Sequence, residues 1–173
     1  DFGNAPNAPR DRVQDLREEA NARLQRVQQQ QPIAVPKYLW QLSPKQRHAV
    51  VVDTSKSTLY LYENVNGEPH YVADFYISVG KKGSDKLAEG DQKTPLGVYF
   101  IDGHFSRDKL ADFYGSGAYP LSYPNEWDKR QGRKGHGIWL HGTPSDTYSR
   151  PPLSSNGCVV LANDDLTHLS PHL

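Results

Sequence analysis

Two residue types in the second half of the chain, a cysteine and a histidine, can together perform nucleophilic chemistry. A cysteine attacks carbonyl carbon as its thiolate, and a free pKa of about 8.5 leaves little thiolate near neutral pH, so the sulfur needs an adjacent base. His141 closes one predicted strand and Cys158 opens the next. If those strands are neighbours, both side chains lie at the same end of the sheet, and the pattern predicts a thiol–imidazole dyad.

The residues around the thiol are suited to hold a developing oxyanion. They read Ser155-Asn156-Gly157-Cys158. Gly157 has no side chain where the backbone must approach a substrate, and the successive N–H groups of Gly157 and Cys158 are candidate donors to the oxyanion. Val159 and Val160 follow, so we expect a rigid strand to anchor the nucleophile.

The same residues have other interpretations. Alone, Cys158 could be a small buried hydrophobe, and His141 could be a strand-end histidine bonded to a backbone carbonyl. His136 could join them in a metal site, but its five-residue spacing from His141 matches no standard zinc pattern. We therefore expect neither a metal nor a cofactor.

The first element that the pattern predicts is a helix. Residues 1–10 are rich in proline and polar residues and predict a disordered lead. Between residues 11 and 30, apolar side chains recur at steps of three and four, which predicts a helix with one narrow apolar stripe. The stripe consists of Val13, Leu16, Ala20, Leu24 and Val27. Such stripes usually dock on the parent domain or on a partner helix.

From residue 37 onward the pattern is mainly β. Six strands are predicted, over residues 49–53, 58–63, 71–79, 97–101, 137–141 and 158–161. The first two form a hairpin, residues 80–94 form a loop, and a helix starts at Asn163 with an Asx cap. The chain thus divides into an arm, residues 1–36, and one domain, residues 37–173.

Composition and charge exclude several classes of protein. Twenty Lys and Arg balance twenty Asp and Glu, so no basic field favours nucleic acid or anionic lipid. The longest aliphatic run, residues 49–52, is far shorter than the roughly 20 residues that cross a bilayer. Methionine is absent, which indicates a processed or trimmed chain and is compatible with a removed export signal.

Four motifs, in this order, resemble the L,D-transpeptidase (YkuD-type) catalytic domain family over about residues 47–169. They are Thr94-Pro95-Leu96-Gly97-Val98-Tyr99, Tyr119-Pro120-Leu121-Ser122-Tyr123-Pro124-Asn125, Gly137-Ile138-Trp139-Leu140-His141-Gly142 and Ser155-x-Gly157-Cys158. The resemblance implies a mainly β fold, a YkuD-like sandwich or barrel with a few short helices, here preceded by the N-terminal amphipathic α-helix.

The resemblance also implies an activity on peptidoglycan stem peptides in the bacterial periplasm or cell envelope. Cys158 is then the nucleophile and His141 the general base and later acid, and the carbonyl of Gly142 orients the imidazole. The sulfur attacks the L-centre carbonyl of meso-diaminopimelate, expels D-alanine and holds a thioester. β-lactams of the carbapenem class are expected to acylate the same sulfur.

Several functions are compatible with this site. An amine acceptor gives a cross-link, the L,D-transpeptidase reaction, whereas water gives a trimmed tripeptide, the L,D-carboxypeptidase or amidase reaction. Residues 155–166 resemble a subgroup in which some members are L,D-carboxypeptidases and carry a further C-terminal domain. A catalytically silent wall-binding module is the remaining alternative, and the helix could contact a partner or a missing C-terminal portion.

Two departures from the family pattern affect substrate binding. Asn156 stands where the family commonly has histidine, and Val160 where many members have an arginine that holds a substrate carboxylate. Arg150 is the replacement candidate, since guanidinium binds carboxylate in a bidentate fork. Three further residues are expected to line the cleft, namely Thr143, Tyr123 and Trp139.

Overall fold

The computed structural model describes residues 12–28, 35–39 and 41–173. The helices are α1 (Arg12–Gln28), α2 (Glu126–Arg130) and α3 (Asn163–Leu169). The strands are β1 (His48–Asp53), β2 (Thr58–Val65), β3 (Glu68–Tyr76), β4 (Val79–Gly80), β5 (Phe105–Ser106), β6 (Gly117–Pro120), β7 (Trp139–His141), β8 (Leu153–Ser155) and β9 (Val159–Val160). The predicted lead over residues 1–10 lies outside these ranges. Of the helices described, none is both long and apolar enough to cross a membrane.

The first three strands form an antiparallel sheet in the order β1, β2, β3. Val50 pairs with Leu61 and Val52 with Leu59, which confirms the predicted hairpin. Asn66 and Gly67 connect β2 to β3 with positive φ angles of 57° and 94°. A two-residue turn between antiparallel strands needs that conformation, which Asn and Gly adopt most readily.

A second sheet, in the order β5, β6, β7, β9, carries the candidate site. β5 and β6 are antiparallel, as are β6 and β7, whereas β7 and β9 are parallel. β4 pairs in parallel with β8. Ser78 and Val160 exchange backbone hydrogen bonds of 2.9 Å each, so β9 is held from both sides.

One hydrophobic cluster joins both sheets to α3. Its side chains are at most 5% exposed, and they are Leu59, Leu61, Ile77, Val79, Tyr119, Leu140, Val159, Leu161, Leu166 and Leu169. Leu140 and Val159 belong to β7 and β9, and α3 supplies Leu166 and Leu169. The two strands that carry the candidate dyad are therefore fixed by the core on their opposite face.

The strand predicted over residues 97–101 is wrong. Val98 is 80% exposed and Phe100 is 63% exposed, so the apolar residues there do not mark a buried face. Phe100 exchanges hydrogen bonds with Ser122, and Ile101 forms only an isolated bridge. Residues 97–101 therefore form irregular backbone beside β6 and do not pair as a strand.

Other boundaries also differ from the prediction. The third predicted strand, residues 71–79, divides into β3 and β4 because Ser78 pairs with Val160. The strands β5, β6 and β8 and the helix α2 were not predicted. Asn163 is not the cap of α3, since Ala162 occupies that position and makes no side-chain bond.

α1 is present as predicted, but a different face of it meets the domain. Arg26 pairs with Asp74, and Glu19 Oε2 accepts the Arg150 backbone N–H at 2.5 Å. The stripe residues Leu24 and Val27 are 56% and 62% exposed. The predicted docking of the stripe on the parent domain is therefore wrong, because charged residues make the contact. A contact between the stripe and a partner stays a prediction.

Candidate active site

The candidate nucleophile and base lie on neighbouring strands. His141 pairs with Val160, which places Cys158, directly before β9, opposite Trp139. Side chains alternate between the two faces of a strand, so Cys158 and His141 project from one face at diagonal positions. The strands are neighbours, which was the condition for the predicted dyad, but they run parallel, so the two residues do not share one end of the sheet.

His141 is held in one tautomer by its own backbone. The side chain is 3% exposed, and its Nδ1 lies 2.7 Å from the carbonyl oxygen of Gly142. A carbonyl oxygen only accepts, so Nδ1 carries the proton and Nε2 has the free lone pair in the neutral ring. Burial lowers the pKa of His141 from its ordinary 6.5, and the bond to Gly142 opposes that shift. The imidazole is therefore neutral at pH 7 and can accept a proton at Nε2.

Cys158 is half-buried, and its sulfur lies at the start of β7. The thiol donates to the carbonyl oxygen of Gly137 at 3.5 Å. Burial raises the pKa of the Cys158 thiol above its ordinary value, while the Trp139 N–H and the charge of Lys86 partly oppose that shift. The resting pair is thus a neutral thiol and a neutral imidazole, and such a pair reacts by proton transfer during attack.

Ser155 closes the turn before the thiol. Its Oγ accepts the Gly157 N–H at 3.1 Å and donates to the Cys158 carbonyl at 2.6 Å. Gly157 has φ of +127°, and a Cβ there would lie 2.7 Å from the carbonyl oxygen of Lys93. Backbone conformation and close packing therefore require this glycine. Of the two predicted oxyanion donors, the Gly157 N–H is engaged within the turn, which leaves the N–H of Cys158.

Asn163 organises the segment after His141 and was missed as a site residue. Its Oδ1 accepts the Thr143 N–H at 3.0 Å, and its Nδ2 donates to the Thr143 carbonyl at 2.9 Å. A Cβ at Gly142 would lie 2.2 Å from the same Oδ1. Asn163 therefore fixes the peptide that orients the imidazole. The sequence shows only that a polar residue stands three positions after β9, which does not by itself reveal these partners.

Aromatic rings surround the imidazole. The ring centroid of His141 lies 5.2 Å from that of Tyr114 and 5.7 Å from that of Phe113. Trp139 packs on Tyr114 at 4.9 Å, so it stands in the wall beside His141. Phe113 and Tyr114 were not predicted, because their short 3₁₀ turn carries no periodic pattern. Contact of Trp139 with a substrate stays a prediction.

The two other predicted cleft residues, Tyr123 and Thr143, are buried, whereas Asn156, which departs from the family pattern, is exposed. Tyr123 is 6% exposed and donates its hydroxyl to the Lys134 carbonyl at 3.0 Å. Thr143 is 8% exposed, with its backbone bonded to Asn163. Asn156 is exposed, and its Oδ1 lies 3.5 Å from the amide nitrogen of Gln92. Only Asn156 therefore leaves its side chain open to solvent.

Arg150 is 5% exposed, and its guanidinium is used inside the domain. Nη1 donates to the Val160 carbonyl at 2.8 Å, and Nη2 donates to the Tyr76 carbonyl at 3.2 Å. Burial lowers the pKa of Arg150 to about 10, so it stays charged at pH 7. The side chain ties its loop to β3 and β9. These contacts do not support the predicted role as a clamp for a substrate carboxylate.

The described residues contain no cluster of three or more His, Cys, Asp or Glu side chains that could hold a metal ion. His136, the third member of the alternative metal site, is exposed and pairs with Glu89 at 3.4 Å. The thiol of Cys158 and the imidazole of His141 project from one face of neighbouring strands, an arrangement suited to attack by sulfur with a histidine base.

Residues 47–173 match the YkuD family, described as the L,D-transpeptidase catalytic domain. The structure of Bd1075 from Bdellovibrio bacteriovorus is 32% identical with a TM-score of 0.65, and the match covers 78% of this chain and 48% of that one. The helical cell shape determining protein Pgp2 from Campylobacter jejuni is 30% identical with a TM-score of 0.68, covering 79% and 47%. This chain thus spans about half the length of both proteins. No curated protein matches the sequence.

Proposed function

The chain belongs to the YkuD family of L,D-transpeptidase catalytic domains, and from this membership we propose that it is a cysteine-dependent acyltransferase acting on peptidoglycan stem peptides. Cys158 is the nucleophile, His141 is the base, and the carbonyl of Gly142 orients the imidazole. The substrate is a tetrapeptide stem with meso-diaminopimelate as its third residue.

The observation that carries this proposal is the register of β7 and β9. It brings Cys158 and His141 to one face of the sheet, although sixteen residues separate them in the chain. The bond from Nδ1 to Gly142 supports the assignment of base, because it directs the free lone pair of Nε2 away from the backbone. Phe113 and Tyr114 pack against the imidazole, and Trp139 packs on Tyr114.

The reaction begins when Nε2 takes the thiol proton as the sulfur attacks the L-centre carbonyl carbon. The amide C–N bond then breaks, the imidazolium returns the proton to the leaving nitrogen, and D-alanine departs. The acyl group remains on Cys158 as a thioester. An amine of a second stem attacks this thioester and gives its proton to Nε2, which returns it to the departing sulfur. The product is a cross-link.

Incubation of the protein with purified disaccharide-tetrapeptide tests the proposal, with products identified by mass. A cross-linked dimer supports the transpeptidase reaction. Tripeptide without dimer means that water is the acceptor, and the chain is then an L,D-carboxypeptidase. If neither product forms while the protein still binds sacculi, the chain is a wall-binding module and the proposal is wrong.

We also propose that the reaction takes place in the periplasm or cell envelope, where stem peptides are found. The Campylobacter jejuni relative determines helical cell shape, and we infer that wall remodelling by this chain likewise affects cell shape. Bacteria that carry only the Cys158→Ala form should lose the normal shape as completely as a deletion strain. Normal shape in such cells would contradict this part of the proposal.

A further inference from the structure

The motif that begins at Thr94 has no part in the reaction as described so far. It lies, however, against residues 155–158, the nucleophile turn. Thr94 is 3% exposed. A Cβ added to Gly80 would lie 2.4 Å from the Gln92 carbonyl oxygen, and one added to Gly157 would lie 2.7 Å from that of Lys93. Three backbone segments therefore meet in direct contact. They are the end of β4, the loop before Thr94 and the nucleophile turn.

The hydroxyl of Thr94 connects two of these segments with a fixed direction of donation. Its Oγ1 lies 2.9 Å from the Gly80 nitrogen and 2.8 Å from the Gly157 carbonyl oxygen. A backbone N–H can only donate, so Oγ1 accepts from Gly80. A carbonyl can only accept, so the single hydroxyl proton is donated to Gly157. One side chain thus ties the end of β4 to the peptide before Cys158.

That hydrogen bond determines where the Cys158 N–H points. The Gly157 carbonyl and the Cys158 N–H belong to one planar trans peptide unit, and they point in opposite directions. Because Thr94 holds the carbonyl on one side, the N–H is directed to the other side. The Gly157 N–H is bonded to Ser155, so the Cys158 N–H is the remaining donor of the predicted oxyanion pair.

We propose that Thr94 is a positioning residue, whose hydroxyl aims the Cys158 N–H at the oxyanion formed when the sulfur attacks. This inference rests on the proposed acyl-transfer function and adds a residue to its machinery. β4 is a firm support for the hydroxyl, because β4 pairs with β8 and the Lys81 N–H donates to the Ser155 carbonyl at 2.8 Å. A preorganised donor stabilises a transition state without reorganisation during the reaction.

The test compares Thr94→Val, which has nearly the same shape but no hydroxyl, with Thr94→Ser, which keeps the hydroxyl. Removal of one oxyanion donor costs about 100- to 1,000-fold in kcat, and misdirection of a donor should cost about 10- to 100-fold. We expect Thr94→Val to lower the acylation rate by about 10- to 100-fold with KM unchanged. Thr94→Ser should acylate within about threefold of the wild-type rate.

Alkylation of Cys158 by iodoacetamide separates positioning from general damage to the fold. Alkylation forms no oxyanion, so its rate in Thr94→Val should stay within about twofold of the wild-type rate. Thr58→Val is the matched control, because Thr58 is fully buried and also donates to a carbonyl, that of Lys56 at 2.9 Å. Its acylation rate should equal that of the wild type.

Each outcome decides the inference. Equal acylation rates for Thr94→Val and wild type would overturn it, and so would a parallel loss of acylation and alkylation. If Thr94→Val does not fold, Thr94→Ala replaces it, and failure of both would show that Thr94 serves the fold alone. A wild type that forms no acyl-enzyme would instead refute the proposed function itself.

Discussion

The Nδ1 atom of His141 donates a hydrogen bond of 2.7 Å to the carbonyl oxygen of Gly142, the next residue in the chain. This contact assigns the ring proton to Nδ1 and leaves the lone pair of Nε2 free to accept a proton. The peptide of Gly142 is itself held in place, because its N–H donates to the Tyr114 carbonyl at 3.0 Å. The orientation of the base is therefore built into the backbone and needs no acidic residue.

The first prediction concerns the acid side of the pH profile. Burial lowers the pKa of His141 from 6.5, and only the neutral ring can accept the thiol proton. As the pH falls through this lowered pKa, the ring gains a proton and activity is lost. We expect the acid limb of kcat/KM to have its midpoint below pH 6.5, measured with the tetrapeptide substrate. A midpoint above 6.5 would show that a group other than this buried imidazole controls the limb.

The second prediction concerns the thiol. Burial raises the pKa of Cys158 above 9.0, and only the thiolate reacts with iodoacetamide. The alkylation rate should therefore rise with pH through a midpoint above 9.0, as followed by intact-protein mass. A plateau already reached at neutral pH would mean that a thiolate–imidazolium pair is formed before substrate binds.

The third prediction concerns Asn163→Ala. The change removes the bonds to both backbone groups of Thr143 and leaves those buried groups unpaired, so the free energy of unfolding should fall by about 2–3 kcal/mol. Because the same side chain fixes the peptide after His141, the acylation rate of folded protein should also fall, by about tenfold or more.

Asn64→Ala is the matched control for this variant. Asn64 donates to the carbonyls of Ser43 and Gln46 at 2.9 and 2.7 Å and accepts the Gly67 N–H at 2.7 Å. It belongs to β2 in the first sheet, whereas β7 belongs to the second. The control variant should lose stability without a change in the acylation rate. If both variants acylate at the same rate, Asn163 has no role in positioning the imidazole.

The fourth prediction tests whether Arg150 binds a substrate carboxylate, as its chemistry suggested, or stabilises the fold, as its hydrogen bonds indicate. Arg150→Met removes the guanidinium bonds to the Tyr76 and Val160 carbonyls, although Val160 keeps its bond from the Ser78 N–H, so the free energy of unfolding should fall by about 2 kcal/mol or more. KM of the folded protein for the tetrapeptide should stay within about twofold. Chemical denaturation and steady-state kinetics measure these two quantities.

Arg107→Met provides the comparison for Arg150, because the side chain of Arg107 is 60% exposed. It should change the free energy of unfolding by less than about 0.5 kcal/mol. If Arg150→Met instead kept full stability and raised KM strongly, Arg150 would bind the substrate carboxylate after all.

The elements that were predicted correctly are those whose own residues carry a periodic or β-branched pattern. α1 and the β1–β2 hairpin follow from periodicity and from β-branched runs, and both are present. The parallel pairing of β7 with β9 depends instead on the path of residues 142–157, which carry no periodic signal. Strands of two or three residues, such as β5 and β8, are too short to show alternation.

The candidate site combines residues that the sequence singles out by their chemistry with residues that only contacts between distant segments reveal. Cys158 and His141 are recognised by type and spacing, and the register brings them to one face. Arg150 has the chemistry of a carboxylate clamp, but only the fold shows that carbonyl oxygens occupy its guanidinium. Thr94 and Asn163 act through backbone groups of distant segments, and no sequence pattern reveals such partners.

The central claim is that Cys158 carries the acyl group, and intact-protein mass after brief incubation with the tetrapeptide tests it most directly. The wild type should gain the mass of the acyl group as free D-alanine appears, and peptide mapping should locate the adduct on Cys158. Cys158→Ala should show neither the adduct nor D-alanine release. Release of D-alanine at the wild-type rate by Cys158→Ala, or an adduct on another residue, would contradict the account.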